Sequence, residues 1–573
     1  MTERGIEARA AQSRHVHRLV DALAQLGLRA AVVSPGYRDA PLALAVAAHP
    51  DITLQVCIDE RTAGFVALGA ARACQRPVAL ICSSGSAPAH YHPALIEAYH
   101  QRVPLLVLSA DRPDELHHVG AAQTTPQRHL FLEHTVWRDT LPVTLAVDAE
   151  IPADADPLAM RVAQAWAAAT GPAGGPVHLN LPLRKPLELG PAAPRRAVPR
   201  IHTSPPAFTP EQRARLREIF GTAARVLVVA GPMHDAPAAA AADAVQMCHR
   251  LGWPVAADPL SPIRGQPGVI QTADAIAGVE ALRERFRPDV VLWWGELPSS
   301  RPLLELLQTV RGSLVQLSPD GRVYDPAFRV SDVVVAEPGS VFSWLADTAA
   351  PAPQAWRELW TRADSALRAR AVDAAQPWWD GAAWRAALQA WPGSRVHVGN
   401  SLPVRDLDAA VSVQPHQRVW GNRGVNGIDG GVATAWGAMW GSSEPVLALL
   451  GDVALAHDLG AVGQLPHWAR VVLVVVDNGG GQIFGELPLR EVADFEQLFL
   501  TPPERELSAA AAVAGLPYAR AHDAAELTQA LERFWAEGGR GFLDVKVDPE
   551  QARAVRRARR RLIAETLHQE LGA

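Results

Sequence analysis

The chain has 573 residues, enough for roughly three to four ordinary domains. Hydrophobic residues make up 48% and charged residues 20%, a globular balance that excludes extensive disorder. The formal net charge of -6, from 54 basic and 60 acidic side chains, excludes a general nucleic-acid-binding role. Only Lys185 and Lys546 are lysines, so 52 of the 54 basic residues are arginines, good forks for carboxylates wherever they enter a pocket. Cys57, Cys74, Cys82 and Cys248 lie far apart with no C-x-x-C, which fits a reduced cytoplasmic compartment and no zinc ribbon. The longest apolar runs, such as 471–476, fall well short of the ~18 residues of a membrane span. Glu3 and Glu7 stand where a signal peptide would be basic and then apolar, so a soluble intracellular protein is expected.

In chain order, Val16, Leu19, Val20, Leu23 and Leu26 mark one helix face, started by Ser13 and stopped by Gly27. Residues 30–34 then read as a buried strand, 41–48 as a helix, and 53–58 as a strand leading into a helix through Ala71. A strand at 78–82 runs into Ser83-Ser-Gly-Ser86, a helix follows at 89–100, and a strand at 105–109. After a Pro/Ala/Arg-rich linker at 190–210, strands are predicted at 226–230, 255–257, 290–294 and 314–317. A second linker surrounds 349–354. The third block has strands at 396–399, 446–450, 471–476 and 542–547. Short apolar strands alternating with helices imply parallel sheets covered on both faces. The fold class is α/β, with three doubly wound domains at 1–190, 212–350 and 375–573. The basic run 553–561 reads as a solvated helix face, and Trp378-Trp379 as packing between domains.

Ligands of open parallel sheets bind at the carboxyl ends of strands. The strand 446–450 ends in Gly451-Asp452, and the strand 471–476 in Asp477-Asn-Gly-Gly-Gly481. If the two strands are neighbours, Asp452 and Asn478, 26 residues apart (478 − 452), lie side by side. With the carbonyl of Gly480 they make half of the oxygen shell that a hard divalent cation takes when it also binds phosphate. Glycines there let the backbone approach a diphosphate. Gly-Asp followed by Asn at this distance is a signature of thiamine-diphosphate enzymes, although two ordinary turns also read this way. Asp59-Glu-Arg61 sits just past the strand at 53–58. A glutamate there suits a helix start, and it also suits a hydrogen bond to N1′ of an aminopyrimidine.

Ten ordered stretches resemble one family. They are Ser34-Pro-Gly-Tyr-Arg38, Asp59-Glu-Arg61, Ser84-Gly-Ser86, Pro93-Ala-Leu-Ile-Glu-Ala98, Ala110-Asp-Arg-Pro113, Gly399-Asn-Ser401, Asn422-Arg-Gly424, Gly427-Ile-Asp-Gly430, Gly451-Asp452 and Gly481-Gln-Ile-Phe484. Together they resemble the thiamine-diphosphate-dependent 2-succinyl-5-enolpyruvyl-6-hydroxy-3-cyclohexene-1-carboxylate (SEPHCHC) synthases of menaquinone biosynthesis.

That resemblance implies an N-terminal pyrimidine-binding domain, a central Rossmann-like domain and a C-terminal diphosphate-binding domain. It implies thiamine diphosphate activated by Glu60, with Mg²⁺ or Mn²⁺ held by Asp452, Asn478 and the Gly480 carbonyl. Ser401 and Ile428 stand at further cofactor positions, Ile428 as an apolar wedge. The implied substrates, 2-oxoglutarate and isochorismate, are both polycarboxylates, and Arg38, Arg112, Arg405 and Arg423 stand at matching positions. Arg301 takes the place of a family lysine, and Gln123, Ile483, Phe484 and Leu487 match other pocket positions. The resemblance further implies a homodimer or homotetramer with sites between subunits. Three residues depart from the family pattern: Tyr37 for a serine, Ala122 for an asparagine and Asp477 for the first asparagine of a pair. The first two touch the acceptor side, so the alternatives are a divergent thiamine-diphosphate carboligase or decarboxylase with another acceptor, or a catalytically silent regulatory homologue. His90, His92, His117 and His118 lack the spacing of a zinc cage.

Overall fold

The computed structural model describes residues 3–141, 156–190, 195–233, 238–371, 377–503 and 506–572. Its strands are β1 (Ala30–Ser34), β2 (Thr53–Val56), β3 (Val78–Cys82), β4 (Leu105–Asp111), β5 (Trp137–Thr140), β6 (Val177–Pro182), β7 (Val226–Ala230), β8 (Val255–Ala257), β9 (Val290–Trp294), β10 (Leu314–Leu317), β11 (Asp332–Val334), β12 (Arg395–Val398), β13 (Arg418–Trp420), β14 (Val446–Gly451), β15 (Val471–Asp477), β16 (Tyr518–Ala521) and β17 (Gly541–Lys546). They form three all-parallel sheets, ordered β2-β1-β3-β4-β6-β5, β11-β10-β9-β7-β8 and β13-β12-β14-β15-β17-β16. The central strands β3, β4, β7 and β9 are buried along their whole length, as parallel strands covered by helices must be. The α/β class and the order of three sheets match the sequence expectation.

Five strands were not expected: β5, β6, β11, β13 and β16. Four of them are edge strands of three or four residues, too short to carry a periodic signal. The fifth, β6, is interrupted by His178 and Asn180, which are buried in a polar network with Ser109. The helix expected at 89–100 is split into Ala87–His90 and His92–His100, each with a proline in its first turn. Pro93 lacks the N–H that a continuous helix would use there.

The chain forms two compact units. The first comprises residues 1–204 with 422–443 and 458–469, and the second the remainder. In the first unit, the helix Glu60–Cys74 packs along the helix Gly431–Ser442 almost backbone to backbone. A Cβ on Gly69 would overlap the carbonyl oxygen of Thr434, and one on Gly437 the carbonyl oxygen of Val66. Gly437→Ala therefore pushes against main chain that cannot rotate away. It is expected to lose about 1–3 kcal/mol of stability, read as a lower urea midpoint. An unchanged midpoint would mean that the helices separate freely.

In the second unit, the C-terminal helix Pro549–Leu571 is solvated along one face, where Arg557, Arg560 and Arg561 are exposed, but its other arginines pack inward. Arg553 is buried, and Arg556 pairs with Asp380 at 2.7 Å and Asp406 at 2.6 Å. The guanidiniums of Arg556 and Arg559 lie 5.5 and 5.3 Å from the ring of Trp379. Trp379 belongs to the core under the third sheet, which corrects the expectation that it packs between domains. Trp378 instead donates its indole N–H to the Lys546 carbonyl at 2.8 Å.

Candidate active site

β14 and β15 are parallel neighbours with Gly451 opposite Val476, so Asp452 and Asn478 leave adjacent strand ends as the spacing implied. Asp452 is buried and accepts the N–H of Val453 and that of Gly480, both at 2.7 Å. Burial pushes its carboxyl up to about 6, while these amides hold the shift back. Asn478 donates its amide N–H to Asp380 Oδ1 at 2.8 Å, which orients its amide oxygen as the remaining polar atom. The Gly480 carbonyl accepts from Gln482 N at 2.7 Å and keeps a second lone pair. Gly479 and Gly480 have φ of 79° and 109°, which side-chain-bearing residues rarely adopt. Carboxylate, amide oxygen and carbonyl form an all-oxygen donor set that fits a hard divalent cation. Asp477, the departure beside Asn478, forms an ion pair with Lys546.

Other expected residues of this unit lie on short elements. Ser401 precedes the helix Leu402–Ala410 with φ 73°, a strained value for serine, and its carbonyl accepts from Arg405 at 2.6 Å. Phe484 and Leu487 are exposed apolar side chains and Ile483 is half-buried, all on the turn that follows the glycines. Arg301 begins the helix Arg301–Leu307, with its side chain 87% exposed, and pairs with Glu305.

The first unit holds Glu60, Arg38, Arg112, Gln123, Arg423 and Ile428. Glu60 opens its helix and is half-buried, behind an N-cap in which Asp59 accepts Arg61 N at 2.9 Å. Arg38 is buried and donates to the Leu183 carbonyl at 2.6 Å. Burial and the charge of Arg112 both lower its proton affinity. Arg112 hydrogen-bonds the hydroxyl of Ser84 and reaches Gln123 Oε1 at 3.4 Å. Ser84 in turn donates to the Gln123 carbonyl at 2.9 Å. Two predicted residues, Arg112 and Gln123, thus meet at Ser84. Tyr37 is exposed, with the Lys185 ammonium 5.7 Å from its ring centroid.

Two supporting acids were not singled out from sequence. Glu97 is buried, and its two oxygens accept Gly424 N and Val425 N at 2.9 and 3.0 Å, fixing the loop between Arg423 and Ile428. A glutamate inside the apolar Pro93–Ala98 stretch was the available signal. Asp458 accepts Val432 N and Ala433 N at 2.8 and 3.1 Å, and burial pushes it up to about 7. His92 and His134 touch at 3.0 Å, but no group of three metal-capable side chains occurs among the described residues.

Residues 14–131 match the family described as "Thiamine pyrophosphate enzyme, N-terminal TPP binding domain". A 2-succinyl-5-enolpyruvyl-6-hydroxy-3-cyclohexene-1-carboxylate synthase of Geobacillus kaustophilus is 37% identical over 553 residues, covering 92% of this chain and 94% of that protein. The chain belongs to the SEPHCHC synthase family. The archaeal SEPHCHC synthase of Haloarcula marismortui is 34% identical over 583 residues, covering 96% of this chain and 97% of its own. The crystal structure of benzoylformate decarboxylase from Polynucleobacter necessarius superposes with a TM-score of 0.72 at 16% identity, over 93% of this chain and 98% of that one. That likeness concerns the fold alone. SEPHCHC synthase membership bears out the family resemblance read from the motifs.

Proposed function

We propose that the chain is an enzyme that decarboxylates 2-oxoglutarate and adds the resulting four-carbon unit to isochorismate, releasing CO₂ and SEPHCHC for menaquinone synthesis. The observation that carries this reading is that one chain of this family holds both a helix-start glutamate, Glu60, and the Asp452/Asn478 oxygen-donor set. Bound thiamine diphosphate supplies the nucleophilic carbon and electron sink that such a decarboxylation requires.

Glu60 would share a proton with N1′ of the cofactor's aminopyrimidine, and Ile428 and Ser401 would support the cofactor. Asp452, Asn478 and the Gly480 carbonyl would hold the Mg²⁺ or Mn²⁺ that binds its diphosphate. Arg38, Arg112, Arg301, Arg405 and Arg423, with Gln123, take substrate carboxylates by charge-assisted hydrogen bonds. Ile483, Phe484 and Leu487 cover the reacting carbon from water. The protein assembles as a homodimer or homotetramer with each site formed between subunits. Among the described residues no helix is long and apolar enough to cross a membrane. The four cysteines are free, which suits the cytoplasm.

Arg112→Ala and Arg405→Ala each remove a charge-assisted hydrogen bond worth roughly 1.5–3 kcal/mol, so kcat/KM is expected to fall about ten- to more than a hundredfold. Wild-type kinetics in both variants would place the carboxylate pocket elsewhere. The reaction itself is tested by CO₂ release from 2-oxoglutarate with and without isochorismate. Stoichiometric release that requires isochorismate is expected. Equal release without it indicates a simple decarboxylase.

A further inference from the structure

Asp39 follows Arg38 in the turn after β1 and has no solvent exposure. Neither of its carboxylate oxygens has a hydrogen-bond partner. The backbone N–H groups of Gly36 and of Asp39 itself lie close enough to stabilise its charge slightly, but neither closes a hydrogen bond. The helix Ala40–Ala47 starts directly after it, yet the Asp39 side chain does not cap that helix. A fully buried carboxylate without a donor or a cation is costly to keep charged.

Its neighbours supply no compensation. On its own turn, a Cβ at Gly36 would lie 3.0 Å from Asp39 Oδ1 and 2.8 Å from the Ser83 hydroxyl, so that hydroxyl is on the same side of Gly36 but closes no hydrogen bond to Asp39. From β3, the buried Cys82 thiol feels the charges of both Asp39 and Glu60, which pushes it further above its ordinary range. β1 and β2 are parallel neighbours with Val33 opposite Val56, so the turn that carries Asp39 and the helix that opens at Glu60 follow adjacent strand ends, and the Glu60 charge disfavours ionisation of Asp39. Tyr91 spends its hydroxyl on the Ile81 carbonyl and on Ser34. The adjacent Arg38 guanidinium is directed to the Leu183 carbonyl, and among the described residues no arginine or lysine forms an ion pair with Asp39.

We propose that Asp39 is a positioning residue for Glu60, a buried acid whose proton keeps a second negative charge away from that carboxylate. This rests on the assignment of Glu60 as the partner of the cofactor's N1′. Two carboxylates in one neighbourhood drive each other's proton affinities apart, and the more exposed one takes the charge. Burial pushes Asp39 up to about 7, so it is the one that holds a proton at neutral pH. Once Asp39 ionises, a second negative charge stands near Glu60 and opposes the charge on that carboxylate.

The test compares wild type, Asp39→Asn, Asp39→Ser and Glu60→Gln between about pH 5 and 9, with two readouts. The first is the urea midpoint without cofactor. The folded state holds the Asp39 proton to a higher pH than the unfolded chain does. Asp39 therefore adds to a fall in wild-type stability as pH rises from about 4 towards 7, and both Asp39 variants are expected to lose its share of that slope, the rest staying with other buried acids such as Asp452 and Asp458. The second readout is hydrogen–deuterium exchange at C2 of bound thiamine diphosphate. The ratio of Asp39→Asn to wild-type exchange is expected to climb by up to about tenfold between pH 6 and 8. A constant ratio, or a stability slope as steep in both variants as in the wild type, would overturn the proposal. Wild-type exchange in Glu60→Gln would instead refute the Glu60 assignment, and the stability slope would still decide whether Asp39 carries the proton.

Discussion

Glu60→Gln is expected to bind thiamine diphosphate and Mg²⁺ nearly as well as the wild type while C2 hydrogen exchange and turnover fall by about 10²–10⁴, the usual weight of one acid–base group. Glutamine keeps the length and shape of the side chain at the first position of the helix Glu60–Cys74. The N-cap belongs to Asp59, so the start of the helix survives the substitution. What is lost is a group that can exchange a proton with N1′. Exchange is read on the bound cofactor after acid quench, and affinity by calorimetry. Parallel loss of exchange and affinity would make Glu60 structural, and wild-type exchange would assign the proton transfer to another group.

Asp452→Ala is expected to abolish Mg²⁺-dependent retention of thiamine diphosphate, with an affinity loss of more than about 100-fold, because the single charged ligand of a hard cation is gone. The same substitution strips the acceptor from the N–H groups of Val453 and Gly480. A buried N–H left without a partner costs about 1–3 kcal/mol, so some loss of stability accompanies the loss of metal. Asp452→Asn separates the two effects. Its amide oxygen still accepts one N–H, but the ligand charge is absent, so the fold should recover more than the metal affinity does. Calorimetry that returned wild-type cofactor affinity for both variants would remove Asp452 from the metal site.

The parallel sheets were legible because strands such as β7 and β15 are uninterrupted apolar runs between helices. Edge strands such as β13 were not, since three residues with only Val419 buried carry no period. The juxtaposition of Asp452 and Asn478 could be read from spacing once their strands were taken as neighbours, and the register confirms it. The meeting of Arg112 and Gln123 was legible only through family motifs, since its link is the Ser84 hydroxyl from another strand end. Membership of 422–443 in the first unit was hidden, because it depends on Gly69 and Gly437 facing each other across two helices distant in sequence. Asp39 was hidden for a related reason. Nothing in its local sequence shows that the turn after β1 seals it from water near Glu60.

The most direct measurement is mass analysis of the product formed from 2-oxoglutarate and isochorismate by the protein loaded with thiamine diphosphate and Mg²⁺. The account predicts one adduct whose mass is the sum of the two substrates less one CO₂, absent when either substrate or the cofactor is omitted and absent with Glu60→Gln. Unreacted isochorismate beside free succinic semialdehyde, or an adduct formed only with a different acceptor, would contradict it.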